Sequence, residues 1–266
     1  MPHLTANGIA VDYKLTGSAG AEVVTLSHSL ATDFHMWRLQ LPALVAAGYR
    51  VLRYDTRGHG GTDAPPGPYS LELLAGDAVA LLHALDIERT HFVGISMGGM
   101  IGQTLALDHP EVIASLVLCD TAASLPPESG PIWDQRIEIA RTSGMWAHVE
   151  GTVGRWFTPG FIAARPDVVE PIRGTIGSTP LDGYAGCIEA IKHLDLLERI
   201  SAIAAPTLVI VGAEDPGTTP EAARAIHERI AGAEFVLIKS ASHLSNLEQP
   251  EVFNRALLEF LGRASG

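Results

Sequence analysis

The hydrophobic residues of the chain fall mainly in short runs that are apolar at successive positions, and these runs predict buried strands. Six runs are rich in β-branched residues and apolar on both faces, at residues 23–28, 50–55, 91–96, 115–120, 207–212 and 235–239. Runs of this kind are typical of a parallel sheet that is covered on both sides. Residues 9–15 instead alternate in polarity after an Asn7-Gly8 turn, which predicts an antiparallel strand.

Segments with helical periodicity lie between these strands. The clearest are residues 70–85, 98–108 and 220–231, and a last helix follows residue 243. Strands that alternate with helices imply right-handed crossovers and an open sheet with helices on both faces. The pattern therefore predicts an α/β fold with a mostly parallel sheet.

The segment from residue 124 to residue 204 interrupts this alternation. It contains no comparable strand, and its stretches 132–157 and 183–200 are amphipathic with helical spacing. Three of the four tryptophans lie in it, namely Trp133, Trp146 and Trp156. We expect one domain over residues 1–266, with 124–204 inserted as a helical cap over one end of the sheet.

Composition narrows the classes of function. Thirty acidic residues stand against eighteen basic ones, and no cluster of Lys and Arg occurs, which argues against binding to nucleic acid or an anionic membrane. Cys119 and Cys187 belong to no metal-binding or redox motif, as expected in a reducing compartment. The N-terminal sequence lacks the features of a signal peptide, and no apolar run reaches the roughly 18 residues of a membrane span. We therefore expect a soluble cytoplasmic protein.

A serine stands at the junction of a predicted strand and a predicted helix, in the sequence "FVGISMGGM". Gly94 and Gly98 flank Ser96 at the spacing GxSxG, which leaves room for a tight strand–turn–helix that projects the hydroxyl. A glycine-rich turn without catalytic function is the alternative interpretation. The helix that follows directs its N–H groups toward the serine, which favours a nucleophile.

A serine nucleophile needs a base, and the base needs a carboxylate that orients it. His243 follows the last predicted strand in "SASHLSNLEQP", so it emerges at the same end of the sheet as Ser96. Asp215 follows the strand "TLVIVG" and completes the chain order Ser, Asp, His that is typical of α/β-hydrolases. Asp120, at the end of another strand, is the alternative carboxylate. A surface role for His243 is the other interpretation of that residue.

Acyl transfer also requires N–H donors for the oxyanion. We predict the backbone N–H groups of Met97 and Leu30, the latter in the loop "SHSLATDFHMW". His28 in this loop has two interpretations: a group that contacts substrate, or a support that holds the loop by hydrogen bonds.

Along its full length the chain resembles the α/β-hydrolase superfamily and, within it, the 3-oxoadipate enol-lactonases of aromatic-compound catabolism. The resemblance rests on "LSHSLATDFHMW", "VLRYDTRGHGGTDAPPGPYSLE", "GISMGGMIGQTLALDHP", "LVLCDTAA", "RWFT" and "SHLSNLEQP". It implies that Ser96, Asp215 and His243 form the catalytic triad, with Leu30 and Met97 at the oxyanion positions. No metal or organic cofactor is expected.

The resemblance also implies a small enol-lactone substrate with a free carboxylate, the 3-oxoadipate enol-lactone. Such an anion favours a cation in an otherwise apolar pocket. Arg136 is the candidate, three residues from Trp133 on one helical face, and its alternative is a solvated surface arginine. Trp133 and Trp156 are candidate pocket walls, or else core residues.

Other activities use the same kind of triad. A general carboxylesterase is the nearest alternative, since Ser27-His28-Ser29-Leu30 replaces the Ser-Asn-Ser-Leu that is usual in the enol-lactonases. A cofactor-free perhydrolase, a C–C bond hydrolase and a non-catalytic ligand receptor on this fold are further alternatives. Ser96 excludes the dehalogenases and epoxide hydrolases, which need a carboxylate nucleophile.

Overall fold

The apolar runs form the strands of one eight-stranded sheet. In this computed structural model, which describes residues 3–126 and 128–264, the strands are β1 (His3–Ala6), β2 (Ile9–Thr16), β3 (Val23–Ser27), β4 (Arg50–Tyr54), β5 (Thr90–Ile95), β6 (Ile113–Cys119), β7 (Thr207–Gly212) and β8 (Glu234–Ile238). Their spatial order is β1-β2-β4-β3-β5-β6-β7-β8. β1 pairs antiparallel with β2, and β2 with β4, whereas the five remaining pairings are parallel.

Burial follows this order. Every residue of β3, β5 and β7 is buried, while β8 at the edge is largely accessible. Strands that are buried throughout require cover on both faces, which explains why their sequences are continuously apolar. The predicted α/β fold with a mostly parallel sheet is confirmed, and β2 is the predicted antiparallel strand.

Helices connect the strands. They are α1 (Leu41–Ala46), α2 (Leu71–Ala84), α3 (Met97–Asp108), α4 (Ser129–Ser143), α5 (Val149–Trp156), α6 (Pro159–Ala164), α7 (Pro166–Ser178), α8 (Leu181–Lys192), α9 (Pro220–Arg229), α10 (Ser245–Glu248) and α11 (Pro250–Ala264). Short 3-10 turns occur at Phe34–Trp37, Pro110–Val112, Met145–His148 and Arg199–Ala202. Side-chain caps begin two of the predicted helices: Ser70 accepts from the N–H of Leu73, and Thr219 from that of Ala222. α3 packs on the central strands β3, β5 and β6, and α2 packs on α3.

In the described part of the segment between β6 and β7, the chain forms five helices, α4 to α8. The amphipathic stretch 132–157 is divided at Gly144, whose φ of +75° ends α4 and separates it from α5. The expectation of a helix over 183–200 is wrong beyond Lys192, where α8 ends. The chain there returns to the sheet, and Leu196 N–H donates to Ala123 O at 2.7 Å.

The predicted domain limits at residues 1 and 266, and residue 127 within the segment 124–204, lie outside the described residues. Over residues 3–126 and 128–264, no helix is long and apolar enough to span a bilayer.

Candidate active site

Ser96 occupies a strained turn between β5 and α3. Its φ of 55° and ψ of −117° lie in a region that non-glycine residues rarely adopt. Its N–H donates to Cys119 O at 2.9 Å, and its carbonyl accepts from Thr121 Oγ1 at 2.7 Å. The serine side chain makes no capping hydrogen bond to α3. The backbone is therefore fixed while the hydroxyl stays available.

The two flanking glycines are required because other backbone atoms approach them closely. A Cβ on Gly94 would overlap the carbonyl group of Gly98, and one on Gly98 would overlap the carbonyl group of Ser27. The second contact also brings the end of β3, and hence the loop that carries Leu30, alongside the first turn of α3.

His243 and Asp215 form a hydrogen-bonded pair at the ends of β8 and β7. Asp215 Oδ2 lies 2.7 Å from His243 Nδ1. The same carboxylate accepts from the N–H groups of Gly217 at 2.8 Å and Thr218 at 3.1 Å, and from Thr218 Oγ1 at 2.6 Å. Such an arrangement holds the imidazole in one orientation, with Nδ1 as the donor.

Asp120, the alternative carboxylate, has other partners. Its Oδ1 accepts from Gly212 N–H at 2.7 Å, and its Oδ2 accepts from Ser245 Oγ at 2.6 Å. These bonds tie together the loops that carry Asp215 and His243. The carboxylate that bonds to the imidazole is Asp215, whereas Asp120 bonds to Gly212 and Ser245.

Charge in this buried cluster changes the ionisation of its members. Burial alone would lower the pKa of His243, but the charge of Asp215 and the hydrogen bond to it outweigh burial, so the pKa is raised. Burial opposes ionisation of Asp215, yet His243 and the hydrogen-bond donors lower its pKa. Burial, together with the charge of Asp215, raises the pKa of Asp120 well above its usual range.

Ser96 and His243 line one cavity of about 300 Å³. That volume lies at the lower end of the range for small-molecule sites, about 300–1,000 Å³. The apolar side chains that line the cavity are those of Leu30, Met100, Leu125, Pro126, Ile132, Trp133, Trp156, Ile191 and Pro216. Residues of α4, α5 and α8 thus face the loops at the carboxyl ends of the strands. No group of three or more His, Cys, Asp or Glu side chains within the described chain is arranged to hold a metal ion.

Leu30 and Met97 carry the two backbone N–H groups that the sequence analysis predicts as oxyanion donors. Leu30 lines the cavity, and Met97 is the first residue of α3, directly after Ser96. Within the described residues, neither N–H group is hydrogen-bonded to another group. Both N–H groups are therefore available to an oxyanion.

His28 does not fit a contact with substrate. It is fully buried and is absent from the cavity wall. Its Nδ1 donates to Ser29 O at 2.8 Å, and its Nε2 accepts from Thr56 N–H at 2.9 Å. His59 supports the same loop, because its Nε2 accepts from Ala31 N–H at 2.9 Å. Of the two interpretations of His28, the substrate contact is therefore corrected in favour of loop support: both ring nitrogens hold the loop that carries Leu30.

Arg136, Trp133 and Trp156 all line the cavity. The Arg136 guanidinium lies 4.4 Å from the Trp133 ring centroid, a cation–π contact. Trp156 is stacked on His243, with ring centroids 5.9 Å apart. All three side chains thus lie where a ligand next to Ser96 would meet them.

Arg155 also lines the cavity, and the sequence analysis missed it. It lies in "RWFT", one of the segments that carry the family resemblance. Hydrogen bonds to two backbone carbonyls of this segment hold it against the His243 loop. Ser242 Oγ donates to Arg155 O at 2.8 Å, and Leu244 N–H donates to Trp156 O at 3.1 Å.

Comparison with known proteins identifies the family of the chain. A model of the alpha/beta hydrolase family matches residues 25–256. A 3-oxoadipate enol-lactonase of Acinetobacter baylyi is 38% identical over 254 residues, which cover 96% of this chain and 94% of that protein. RutD of Variovorax paradoxus, assigned as a carbamate hydrolase, is 31% identical, covering 95% of this chain and 96% of its own.

A solved structure extends the similarity to three dimensions. The enol-lactonase from Burkholderia xenovorans LB400 superposes with a TM-score of 0.94 at 41% identity, covering 98% of this chain and 100% of that one. Since the family model and these relatives span nearly the whole chain, the protein belongs to the alpha/beta hydrolase family and is a hydrolase that acts on esters or lactones.

Proposed function

We propose that the protein opens a small enol-lactone that carries a free carboxylate, converting 3-oxoadipate enol-lactone to 3-oxoadipate. One observation carries the proposal: the Arg136 guanidinium, which has no ion-pair partner among the described residues, lines the same small apolar cavity as Ser96 and His243. A neutral ester gives such a cation no partner, whereas a carboxylated lactone does. This activity would place the protein in the β-ketoadipate pathway of aromatic-compound catabolism.

In the proposed mechanism Ser96 is the nucleophile. His243 takes the serine proton as the hydroxyl attacks the lactone carbonyl, and Asp215 stabilises the imidazolium that forms. The Asp215–His243 hydrogen bond of 2.7 Å and the free serine side chain support these roles. The backbone strain at Ser96 projects its hydroxyl toward the cavity.

The oxyanion accepts hydrogen bonds from the backbone N–H groups of Leu30 and Met97. Removing one such donor typically costs about 10²–10³ in kcat. The buried supports of the Leu30 loop, His28 and His59, keep its N–H in place before substrate arrives.

Collapse of the tetrahedral intermediate breaks the ring C–O bond and leaves an acyl-enzyme on Ser96. His243 gives the proton it took from Ser96 to the departing oxygen, which leaves as an enol and tautomerises to the ketone. His243 then deprotonates a water molecule that attacks the acyl-enzyme, and this releases the second carboxylate and restores Ser96. Throughout, Arg136 binds the carboxylate that the substrate already carries.

The test compares kcat/KM for 3-oxoadipate enol-lactone, generated in situ, with that for p-nitrophenyl butyrate, with Ser96→Ala as background. We expect the lactone to be preferred by about a thousandfold, or about 4 kcal/mol of transition-state discrimination. Arg136→Met should remove most of that preference, chiefly through KM. Arg141→Met, an exposed arginine on the same helix α4, is the matched control. A flat preference would indicate a general carboxylesterase instead.

A further inference from the structure

The cavity contains two guanidinium groups that lack an anionic partner. Within the described chain, neither Arg136 nor Arg155 has a carboxylate at ion-pair distance. Six other arginines do form ion pairs: Arg57, Arg165, Arg173, Arg199, Arg229 and Arg263. The two in the cavity are half-buried, so the lack of a partner has an energetic cost.

Few of the guanidinium N–H donors of Arg136 and Arg155 take part in hydrogen bonds. Each guanidinium has five N–H groups. Arg155 Nη2 donates to Thr152 Oγ1 at 3.1 Å, and Arg136 lies over the Trp133 ring. Among the described cavity residues the one carboxylate is that of Asp215, which is already bonded to His243. The cavity therefore has an excess of positive charge with free hydrogen-bond donors.

The two arginines lie on different elements of the cavity wall. Arg136 is on α4, while Arg155 is on α5, next to Trp156, which stacks on the imidazole of His243. The carbonyl of Arg155 is bonded to Ser242, the neighbour of His243. The backbone that carries Arg155 is thus fixed against the His243 loop, whereas Arg136 makes no hydrogen bond to that loop within the described residues; its carbonyl bonds to His148 instead.

Hydrolysis of a carboxylated lactone changes the charge of the ligand. The ring ester and one water molecule become a carboxylate, a ketone and one proton, so a monoanion is converted to a dianion. The new carboxylate forms at the carbon that Ser96 attacked, at the catalytic end of the cavity. The monoanionic substrate can therefore form an ion pair with one of the two arginines, whereas the dianionic product can form an ion pair with both.

We propose that this cavity is a binding site for linear dicarboxylates, in which Arg155 binds the carboxylate created by hydrolysis and Arg136 the carboxylate already present. The assignment of which carboxylate each arginine takes rests on the proposed lactonase function. The dicarboxylate specificity itself rests on the two unpaired guanidiniums. Its consequence is inhibition by product and by other dicarboxylates of similar length.

The test compares adipate with hexanoate, which has the same number of carbons and one carboxylate fewer. Inhibition constants are measured at constant ionic strength against p-nitrophenyl butyrate, and binding to Ser96→Ala is measured by calorimetry. We expect adipate to bind at least about tenfold more tightly than hexanoate, as a second charge-assisted hydrogen-bonded contact implies. In Arg155→Met the advantage of adipate should disappear, with hexanoate changed by less than about twofold.

Matched variants make the result interpretable. Arg141→Met should retain the full advantage of adipate. Arg155→Gln, which retains hydrogen-bond donors without the charge, should lose most of it, and it replaces Arg155→Met should that variant fail to fold by circular dichroism. An unchanged ratio of adipate to hexanoate in both Arg155 variants would overturn the proposal, as would equal binding of the two acids by the wild type.

The experiment on the dicarboxylate site can fail or succeed independently of the experiment on the lactonase activity. Tight, Arg155-dependent binding of adipate by an enzyme that prefers the neutral ester to the lactone would support the dicarboxylate site and remove the enol-lactonase assignment. A strong lactone preference without any advantage for adipate would overturn the dicarboxylate site alone.

Discussion

The indole of Trp156 lies nearly parallel to the imidazole of His243, with ring planes inclined by 29°. The indole belongs to α5, in the helical segment between β6 and β7, whereas the imidazole follows the last strand of the sheet. One side chain of the helical segment therefore forms both a wall of the cavity and a support for the proposed base. This dual contact gives the segment a direct part in positioning His243.

Trp156→Leu should reduce kcat on both lactone and neutral ester. Aromatic pairs contribute about 0.5–1.5 kcal/mol beyond their burial, which corresponds to about a two- to twelvefold loss. Steady-state kinetics on both substrates test this, with Trp146→Leu as control, because Trp146 is 65% exposed and outside the cavity. A change confined to KM would show that Trp156 is a wall of the pocket and nothing more.

The pH dependence of activity should reflect the environment of His243. The base must be neutral to accept the serine proton, so activity falls as pH drops through its pKa. Burial and the charge of Arg155 favour the neutral form, but Asp215, with Asp120 behind it, outweighs them and raises the pKa above 6.5. We expect the acid limb of kcat/KM on p-nitrophenyl butyrate, which does not ionise near this pH, to have its midpoint above 6.5.

Asp215→Asn provides the check on this assignment. Loss of the negative charge should move the acid limb to lower pH, and loss of the fixed tautomer should reduce kcat by about 10,000-fold. Asp120→Asn should produce a smaller shift in the same direction with a far smaller loss of kcat, because Asp120 does not contact the ring. A limb at or below 6.5 in the wild type would contradict the raised pKa.

The local features of this molecule were predictable from sequence. A buried strand, a glycine-bounded serine and a helix are consecutive in the chain, so the turn at Ser96 could be recognised without knowledge of distant contacts. Asp215 and His243 could be placed because the carboxyl ends of parallel strands share one edge of a sheet. The choice between Asp215 and Asp120 needed the structure, since both follow such strands.

Features that depend on long-range contacts were not predictable. Arg155 faces the cavity because α5 is held against the His243 loop, 87 residues away in sequence. The role of His28 depends on Thr56, which lies in another loop. The helix predicted over 183–200 ends early because buried leucines bring the chain back to the end of β6. In each case the deciding partner is distant along the chain.

His28→Ala should separate the two interpretations of that residue. The shorter side chain leaves the buried N–H of Thr56 without its acceptor, which costs about 1–3 kcal/mol of unfolding free energy. Because the same loop carries Leu30, kcat should fall together with the free energy of unfolding, while KM changes little. Thermal denaturation and kinetics test this, with His193→Ala, a substitution of an exposed histidine, as control. A raised KM at unchanged stability would restore His28 as a contact of the substrate.

The close approach of β3 and α3 predicts a sharp difference between two helical glycines. A methyl group on Gly98 would overlap the backbone carbonyl of Ser27, and neither backbone can move without displacing Ser96 or the Leu30 loop. Gly98→Ala should therefore lower the free energy of unfolding by about 3 kcal/mol or more and abolish activity. Gly262, exposed on α11, has open space where its Cβ would lie.

Gly262→Ala should accordingly raise the free energy of unfolding by up to about 1 kcal/mol, since alanine favours the helix and restricts the unfolded chain. Urea denaturation of the two variants and the wild type measures both effects at once. Residual activity in the folded fraction of Gly98→Ala then shows whether activity requires the close contact between Gly98 and Ser27. Full activity there would mean that the turn at Ser96 tolerates displacement of α3 from β3, and the proposed oxyanion donors would then not depend on that contact.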